Sequence, residues 1–331
     1  MFHSQLVRNK PMSNCDICAA LKGFVLSFAV ILGISFFIHV VIPSLAIADP
    51  IMLKRRLNKT GKAWAVVTGT TSGIGYAFVF GLAKLGFNVL MLSRNEQKLK
   101  EMKQEISSKN KSTKVDYMVI DLGKKGGDSV PQELKKFIAA NEIAILVNNA
   151  GLNTEYPKLY IDNTVEEIES ILDVNCRSVC LLTREVLPSM IHRRSGLVIN
   201  VSSLFGELSG PLVSVYSGTK SFIDSFSASL SEEIRGTGVS CFVSLPGFVI
   251  SNMSKLKRTS LTVITADDCV NTILKQCAGG YLQSASPHWT HSAIAWALTA
   301  LVPSFITSRV LGRINRGTNR AALRKIARES K

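Results

Sequence analysis

Acidic residues are scarce at the two ends of this 331-residue chain. Residues 1–62 hold 2 Asp/Glu against 8 Lys/Arg, and residues 281–331 hold 1 against 8. The middle, residues 63–280, holds 21 against 23 and is nearly neutral. Of the +15 net charge, 13 units therefore sit at the ends. A uniformly basic protein points to nucleic acid. A neutral middle with basic ends points to the anionic surface of a membrane. Aromatic residues are few, at 7%, and are not interleaved with the basic ones, which argues against a nucleic-acid partner.

Cysteine is sparse as well. The seven are Cys15, Cys18, Cys176, Cys180, Cys241, Cys269 and Cys277. An odd number in a chain of this length is no disulfide framework, and a reducing compartment is the simpler reading. Cys15 and Cys18 form a lone C-x-x-C. No second Cys or His pair follows at ligand spacing, so no metal site is expected. The two thiols read as unremarkable or acylated groups beside a membrane segment. Internal repeats and low-complexity tracts are absent, which excludes a solenoid. Hydrophobic content of 46% excludes a disordered chain. The length suffices for one large domain to bury its core without staples.

Formal charge is missing altogether from residues 23–48. The most apolar part, residues 24–42, spans roughly 28 Å as a helix, close to the hydrocarbon core of a bilayer. A transmembrane anchor is the leading reading. Its rival is a cleaved signal peptide, because Ala46-Ile47-Ala48 is an A-x-A site. Against that, 22 residues precede the run, and the run exceeds the usual signal core of roughly 7–15. Arg8, Lys10 and Lys22 flank it before, and Lys54, Arg55, Arg56, Lys59 and Lys62 after. The denser side is the carboxyl-terminal one, which directs the main domain to the cytosol.

Beyond the anchor, strand-length apolar runs alternate with helical segments. Strands are predicted over 63–68, 88–92, 116–120, 143–147, 196–201 and 239–245, and helices include 76–85, 96–107, 165–190 and 216–234. Continuous apolar strands separated by helices predict an α/β fold, a doubly wound Rossmann-type parallel sheet in a single catalytic domain. The chain divides into an N-terminal cap (1–22), the anchor (23–48), a basic linker (49–62), the Rossmann domain (63–280), and an apolar membrane-associated segment with a basic tail (281–331).

The first strand runs into Thr68-Gly69-Thr70-Thr71-Ser72-Gly73-Ile74-Gly75 and then a helix. Glycines there allow a tight turn and close backbone approach to a pyrophosphate, and a helix N-terminus offers free N–H groups to phosphate. The second strand ends in Ser93-Arg94 where an NAD-binding chain would carry Asp or Glu. Arg94 suits a 2′-phosphate, which favours NADPH. Further on, Tyr216-Ser217-Gly218-Thr219-Lys220 places Tyr and Lys on one helix face. A phenol with an ordinary pKa of about 10 is a poor acid–base group near neutrality, and a fixed ammonium nearby is expected to lower it.

With these residues in view, the chain resembles the short-chain dehydrogenases/reductases over roughly residues 61–280. The glycine loop matches, as do Asn148-Asn149-Ala150-Gly151, Asn175, a serine 13 residues before Tyr216, and Pro246-Gly247-Phe248-Val249-Ile250-Ser251. The spacing and the family pattern select Ser203 over its neighbour Ser202. The resemblance implies that Tyr216 is the general acid in reduction and that Ser203 hydrogen-bonds the same oxygen. It implies that Lys220 tunes the phenol and binds ribose, and that Asn175 holds a relay water. Cofactor contacts are implied for Gly69, Thr71, Ser72, Gly73, Ile74, Gly75, Ser93 and Arg94. Asp121 and Leu122 would meet the adenine. Asn149, Ala150, Gly151, Pro246, Gly247, Val249 and Ser251 would complete the cofactor site.

Ser251-Asn252-Met253-Ser254-Lys255, Ser284-Ala285-Ser286-Pro287-His288-Trp289 and the basic ends resemble one branch, the membrane-bound very-long-chain 3-oxoacyl-CoA reductases, which also contains 17β-hydroxysteroid dehydrogenases. Asn149-Ala150-Gly151 departs from that branch, which often carries Val before Gly, and follows the wider family instead. The branch implies NADPH-dependent reduction of 3-oxoacyl-CoA in fatty-acid elongation at the endoplasmic reticulum membrane. It also implies elongation enzymes as partners and a homodimer through helix 165–190. A steroid or retinoid oxidoreductase is the alternative, and a cofactor-sensing scaffold is disfavoured by the intact catalytic set. A second apolar stretch, residues 292–306, is short for a span and contains Pro303. It reads as an interfacial or re-entrant segment with the basic tail on the cytosolic leaflet, or else as a helix covering the substrate site.

Overall fold

The computed structural model describes residues 14–124, 130–280 and 282–329, with side chains described from residue 21 onward. Cys15, Cys18, Arg8 and Lys10 lie outside the described side chains. The chain opens with α1 (Asn14–Phe36), a π-helical turn (Phe37–Val41), α2 (Ile42–Leu45) and α3 (Ile51–Leu57). Then come β1 (Trp64–Thr68), α4 (Gly73–Lys84), β2 (Asn88–Ser93), α5 (Glu96–Lys109), β3 (Val115–Val119), α6 (Gln132–Ala140) and β4 (Ile143–Asn148). The second half holds α7 (Val165–Leu172), a π-helical turn (Asp173–Arg177), α8 (Ser178–His192), β5 (Gly196–Val201), α9 (Leu204–Glu207), α10 (Ser214–Glu233) and β6 (Val239–Ser244). It ends with β7 (Phe248–Val249), β8 (Val263–Ile264), α11 (Ala266–Gly279), β9 (Ser284–Ala285), α12 (Trp289–Ala300) and α13 (Ser304–Glu329).

The main sheet is parallel, in the order β3-β2-β1-β4-β5-β6-β9, with β7 and β8 forming a separate pair. This is the doubly wound sheet the alternation predicts. Strands β1, β4 and β5 are buried along their whole length because helices cover both faces, so each reads as a continuous apolar run. One core layer joins Phe78, Leu82 and Leu274 to alternate strand residues such as Val67 and Val147. The other joins Val66 and Leu146 to Leu182 and Val186. The order reverses between β1 and β4, which opens the crevice where such sheets bind ligands.

The segment expected as one helix over 165–190 is three pieces. A Thr164–Glu167 capping box starts α7, and the π-helical turn then inserts before α8. The wide turn carries Asn175, and π-turns inside helices recur at functional sites.

Residues 21–45 form the one described helical run long and apolar enough to cross a membrane. Its first part stands clear of the domain, with Phe24, Leu26 and Ile31 exposed. Its last part docks. Trp296 Nε1 donates to Ser35 Oγ at 3.1 Å, and the Trp296 ring meets Phe36 edge-on at 5.0 Å. Val40 and Pro43 are buried, and Ala48 N–H donates to Lys275 O at 3.0 Å. The 292–306 stretch becomes the end of α12 and the start of α13, two helices joined at Pro303. Helix α13 is tied back to the domain by Asn315 Nδ2 to Pro211 O (2.8 Å) and Asn319 Nδ2 to Pro157 O (2.7 Å).

Two asparagines inside the sheet pair across strands and with the helices that cover it. Asn148 Nδ2 donates to Asn200 Oδ1 (2.8 Å) and Thr183 Oγ1 (3.1 Å), and Asn200 Nδ2 donates to Ser227 Oγ (2.8 Å). All four residues are buried. Asn200→Ala strips partners from two buried groups and is expected to lower stability by about 1–3 kcal/mol in chemical denaturation.

Candidate active site

Thr68, at the carboxyl end of β1, clamps the loop after β4. Its hydroxyl accepts from Asn149 N–H and Ala150 N–H, both at 2.9 Å, and donates to Val147 O at 3.3 Å. The Asn149 amide donates in return to Thr68 O (2.9 Å) and Gly69 O (3.2 Å). This closeness is why glycine stands at two positions. Gly69 has φ +67°, and a Cβ there would lie 2.8 Å from Ala150 Cα. A Cβ on Gly75 would collide with the Gly69 carbonyl oxygen and the Asn149 amide.

A cavity of about 570 Å³ opens at this point. Gly69, Thr71, Ser72, Gly73 and Ile74 line it with the N-terminus of α4, and Ser93, Arg94, Asp121 and Leu122 line it from the ends of β2 and β3. Asn149, Ala150, Gly151, Tyr216, Lys220, Pro246, Gly247, Val249 and Ser251 are also on its wall. Gly75, Asn175 and Ser203, also expected at the site, are not among the residues of its wall. Thr71 Oγ1 and Ser93 Oγ hydrogen-bond at 3.2 Å, holding the glycine loop against the end of β2. Exposed backbone at a helix N-terminus, with Arg94 at the rim and no carboxylate at the end of β2, fits a dinucleotide carrying a 2′-phosphate.

Tyr216 and Lys220 lie one turn apart on α10, both buried. The Ser203 hydroxyl accepts from Phe205 N–H at 3.2 Å and acts on the Tyr216 phenol beside it. Its neighbour Ser202 points elsewhere, donating to Lys220 O at 3.2 Å. Lys220 Nζ donates to Val201 O at 2.8 Å and lies 5.6 Å from the Tyr216 ring centroid. Asn175 is held by Leu152, accepting from its N–H at 2.7 Å and donating to its carbonyl at 2.9 Å, and also donates to Thr219 Oγ1 at 2.9 Å. Burial raises the Tyr216 phenol above its ordinary value, and the Ser203 hydroxyl opposes this. The ammonium was expected to do the opposing. Lys220 instead bonds a backbone carbonyl, and burial lowers it to about 8, with Asp224 and then Cys176 opposing.

A family model described as short chain dehydrogenase matches residues 63–261. The chain belongs to this family. A Caenorhabditis elegans protein named very-long-chain 3-oxoacyl-CoA reductase is 36% identical over 292 residues, covering 86% of this chain and 88% of that one. A Homo sapiens protein of the same name is 34% identical over 264 residues, 79% of this chain and 82% of that one. Among solved structures, a short-chain dehydrogenase from Sphingobium yanoikuyae in complex with NADPH superposes with a TM-score of 0.62 at 22% identity. That likeness covers 68% of this chain and 87% of that one and concerns the fold.

Within this short-chain dehydrogenase, an apolar wall lies beyond the matched region, made by Ile294 and Leu298 of α12 and Leu311 of α13 with Leu204 and Leu208, so the 292–306 stretch contributes to the cavity as in the second of its two readings. One group escaped the sequence reading, His291. Its Nδ1 accepts from Gly247 N–H at 3.2 Å and its Nε2 donates to Thr262 O at 2.9 Å, the neutral tautomer bridging two loops. No spacing rule links position 291 to the Pro246-Gly247 loop; their meeting depends on how α12 returns to the sheet.

Burial holds His291 below its ordinary range, the Thr262 carbonyl opposes this, and His288 pushes the same way as burial. The unfolded chain therefore takes up this proton before the folded one does. The stability that neutral His291 contributes is present above about pH 6.5 and is lost as pH falls through its lowered folded value. Thermal denaturation between pH 5 and 8 is expected to show a steeper acid-side loss for wild type than for His291→Ala.

Proposed function

We propose that this protein reduces 3-oxoacyl-CoA to 3-hydroxyacyl-CoA with NADPH, in the elongation of very long acyl chains. The observation that carries the proposal is that Tyr216 and Lys220, with Ser203 acting on the phenol, meet a cavity whose apolar wall belongs to α12 and α13, and that the apolar run docks on α12. The names of relatives at 34–36% identity over most of the chain support the same substrate. An acyl chain suits that wall, and the anionic CoA head suits the basic ends.

The backbone of Gly69 to Gly73 and the N-terminus of α4 would hold the pyrophosphate, and Arg94 the 2′-phosphate. Asp121 and Leu122 would border the adenine. The cofactor, when bound, supplies hydride to the carbonyl carbon. Tyr216 gives its proton to the carbonyl oxygen, and Ser203 donates a hydrogen bond to that oxygen as charge develops on it. A phenol raised by burial keeps its proton at neutral pH, which suits an acid in the reductive direction. Lys220 binds the ribose and returns the proton to Tyr216, and Asn175 steadies a water that refills Lys220. Assay of the full-length protein with NADPH and 3-oxoacyl-CoA of graded chain length tests the substrate. Tyr216→Phe is expected to lower kcat by about 10²–10⁴-fold. Turnover of hydroxysteroids or retinoids with none of any acyl-CoA would move the reading to the alternative substrates.

The protein is further proposed to sit in the endoplasmic reticulum membrane with its catalytic domain in the cytosol. Residues 35–45 of the apolar run pack on the domain, so α12 and α13 lie beside the membrane-crossing part. Helix α13 exposes Phe305, Ile306, Val310 and Ile314 beside Arg309, Arg313, Arg316 and Arg320, the pattern of an interfacial helix on an anionic leaflet. Brominated acyl chains in liposomes are expected to quench Trp289 and Trp296 while sparing Trp64, which is buried in the sheet core. The Trp289→Phe/Trp296→Phe double variant should lose most of the quenching. No quenching of the wild type would place the domain clear of the bilayer.

A further inference from the structure

Asp224 follows Lys220 by one turn on α10, so the two share a helix face. Its carboxyl packs against Gly206 of α9, where any side chain would overlap Oδ2. Both carboxyl oxygens are shut off from solvent. Among the described residues, no hydrogen bond of ordinary geometry reaches either one. The Ser202 hydroxyl, which favours the Asp224 anion, donates to Lys220 O at 3.2 Å. A carboxylate so enclosed costs stability.

Its surroundings are electrical. Burial raises Asp224 to about 7, the Ser202 hydroxyl favours the anion, Glu207 of α9 pushes upward, and Lys220 pulls downward. Glu207 is itself raised by burial, with His39 of the anchor opposing. Seen from Lys220, the facing groups are Asp224 and the Tyr216 ring on its own helix, Cys176 on the π-helical turn, and the Val201 carbonyl of β5. Cys176 is a thiol raised to about 11 and carries no charge near neutrality. Asp224 is thus the one formal anion acting on the catalytic lysine among the described residues.

We infer that Asp224 is a positioning residue for the reduction, its buried carboxylate keeping the Lys220 ammonium charged while that lysine holds ribose and re-protonates Tyr216. The inference rests on the roles proposed above for Tyr216 and Lys220. It explains why a costly group sits next to a lysine whose burial works against its charge. Removing the anion leaves that burial unopposed by any formal charge among the described residues, so Lys220 loses its proton at lower pH.

The test compares wild type, Asp224→Asn and Asp224→Glu as full-length proteins in detergent micelles. One measurement is the pH dependence of kcat/KM for NADPH-driven reduction. Asp224→Asn is expected to move the alkaline limb down by about one pH unit, and Asp224→Glu to restore it. The second measurement is thermal denaturation, which needs no substrate. A folded-state carboxyl raised above its unfolded value costs nothing in acid, and its cost grows as pH rises from about 4 to its folded value. Asp224→Asn should therefore raise Tm at pH 8, and raise it less at pH 5. An unmoved alkaline limb overturns the inference, as does a lower Tm at pH 8, which would mark a structural acceptor. Full activity in Tyr216→Phe would strike the catalytic reading instead, and the Tm comparison would still report on Asp224.

Discussion

The hydrogen bonds between Thr68 and the loop after β4 hold together everything the site needs. One threonine hydroxyl accepts from two successive backbone N–H groups, and one asparagine amide returns two bonds to the other strand's end. These bonds close at the place where the strand order reverses. They fix the glycine loop against Ala150 so tightly that neither Gly69 nor Gly75 has room for a side chain. A cofactor lying there would touch backbone on both sides, and the catalytic helix α10 reaches the same cavity from β5.

Helix α10 then illustrates how burial sets chemistry. Tyr216, Lys220 and Asp224 occupy successive turns of α10, and all are withdrawn from water. Desolvation disfavours each charged form, raising the acids and lowering the base. The result is a neutral phenol that retains its proton and an ammonium near the edge of its charged range. Neighbouring dipoles and charges, the Ser203 hydroxyl for the phenol and the Asp224 carboxyl for the lysine, decide how far each is displaced.

A second constraint comes from the ends of the chain. The anchor's last turns, α12 and α13 pack on one side of the domain, and the cavity's apolar wall is the inner face of α12 and α13. The face of α13 turned away from Pro211 and Pro157 is apolar and basic. The same two helices thus present apolar surface to the cavity and to the exterior, and a lipophilic substrate would meet both.

Much of the fold was legible in residue order. The parallel sheet follows from apolar strand runs alternating with helices. The glycine loop, Ser93-Arg94, Asn149-Ala150-Gly151 and the Tyr216–Lys220 pair are readable because each depends on neighbours in sequence: a turn, a strand end, one helix face. The long apolar helix was readable for the same reason, as a run of residues without charge. Other features depend on distant segments meeting. His291 reaching Gly247, Leu298 and Leu311 entering the cavity, and the anchor docking on Trp296 all join residues far apart in the chain. The state of Tyr216 belongs with them, since the sequence shows a lysine four residues away but not the burial that raises the phenol. Local pattern determined the elements and the candidate site residues; the tertiary structure alone decided their desolvation and which of the two readings of residues 292–306 brings Ile294 and Leu298 to the cavity, because both are sums over contacts no short stretch contains.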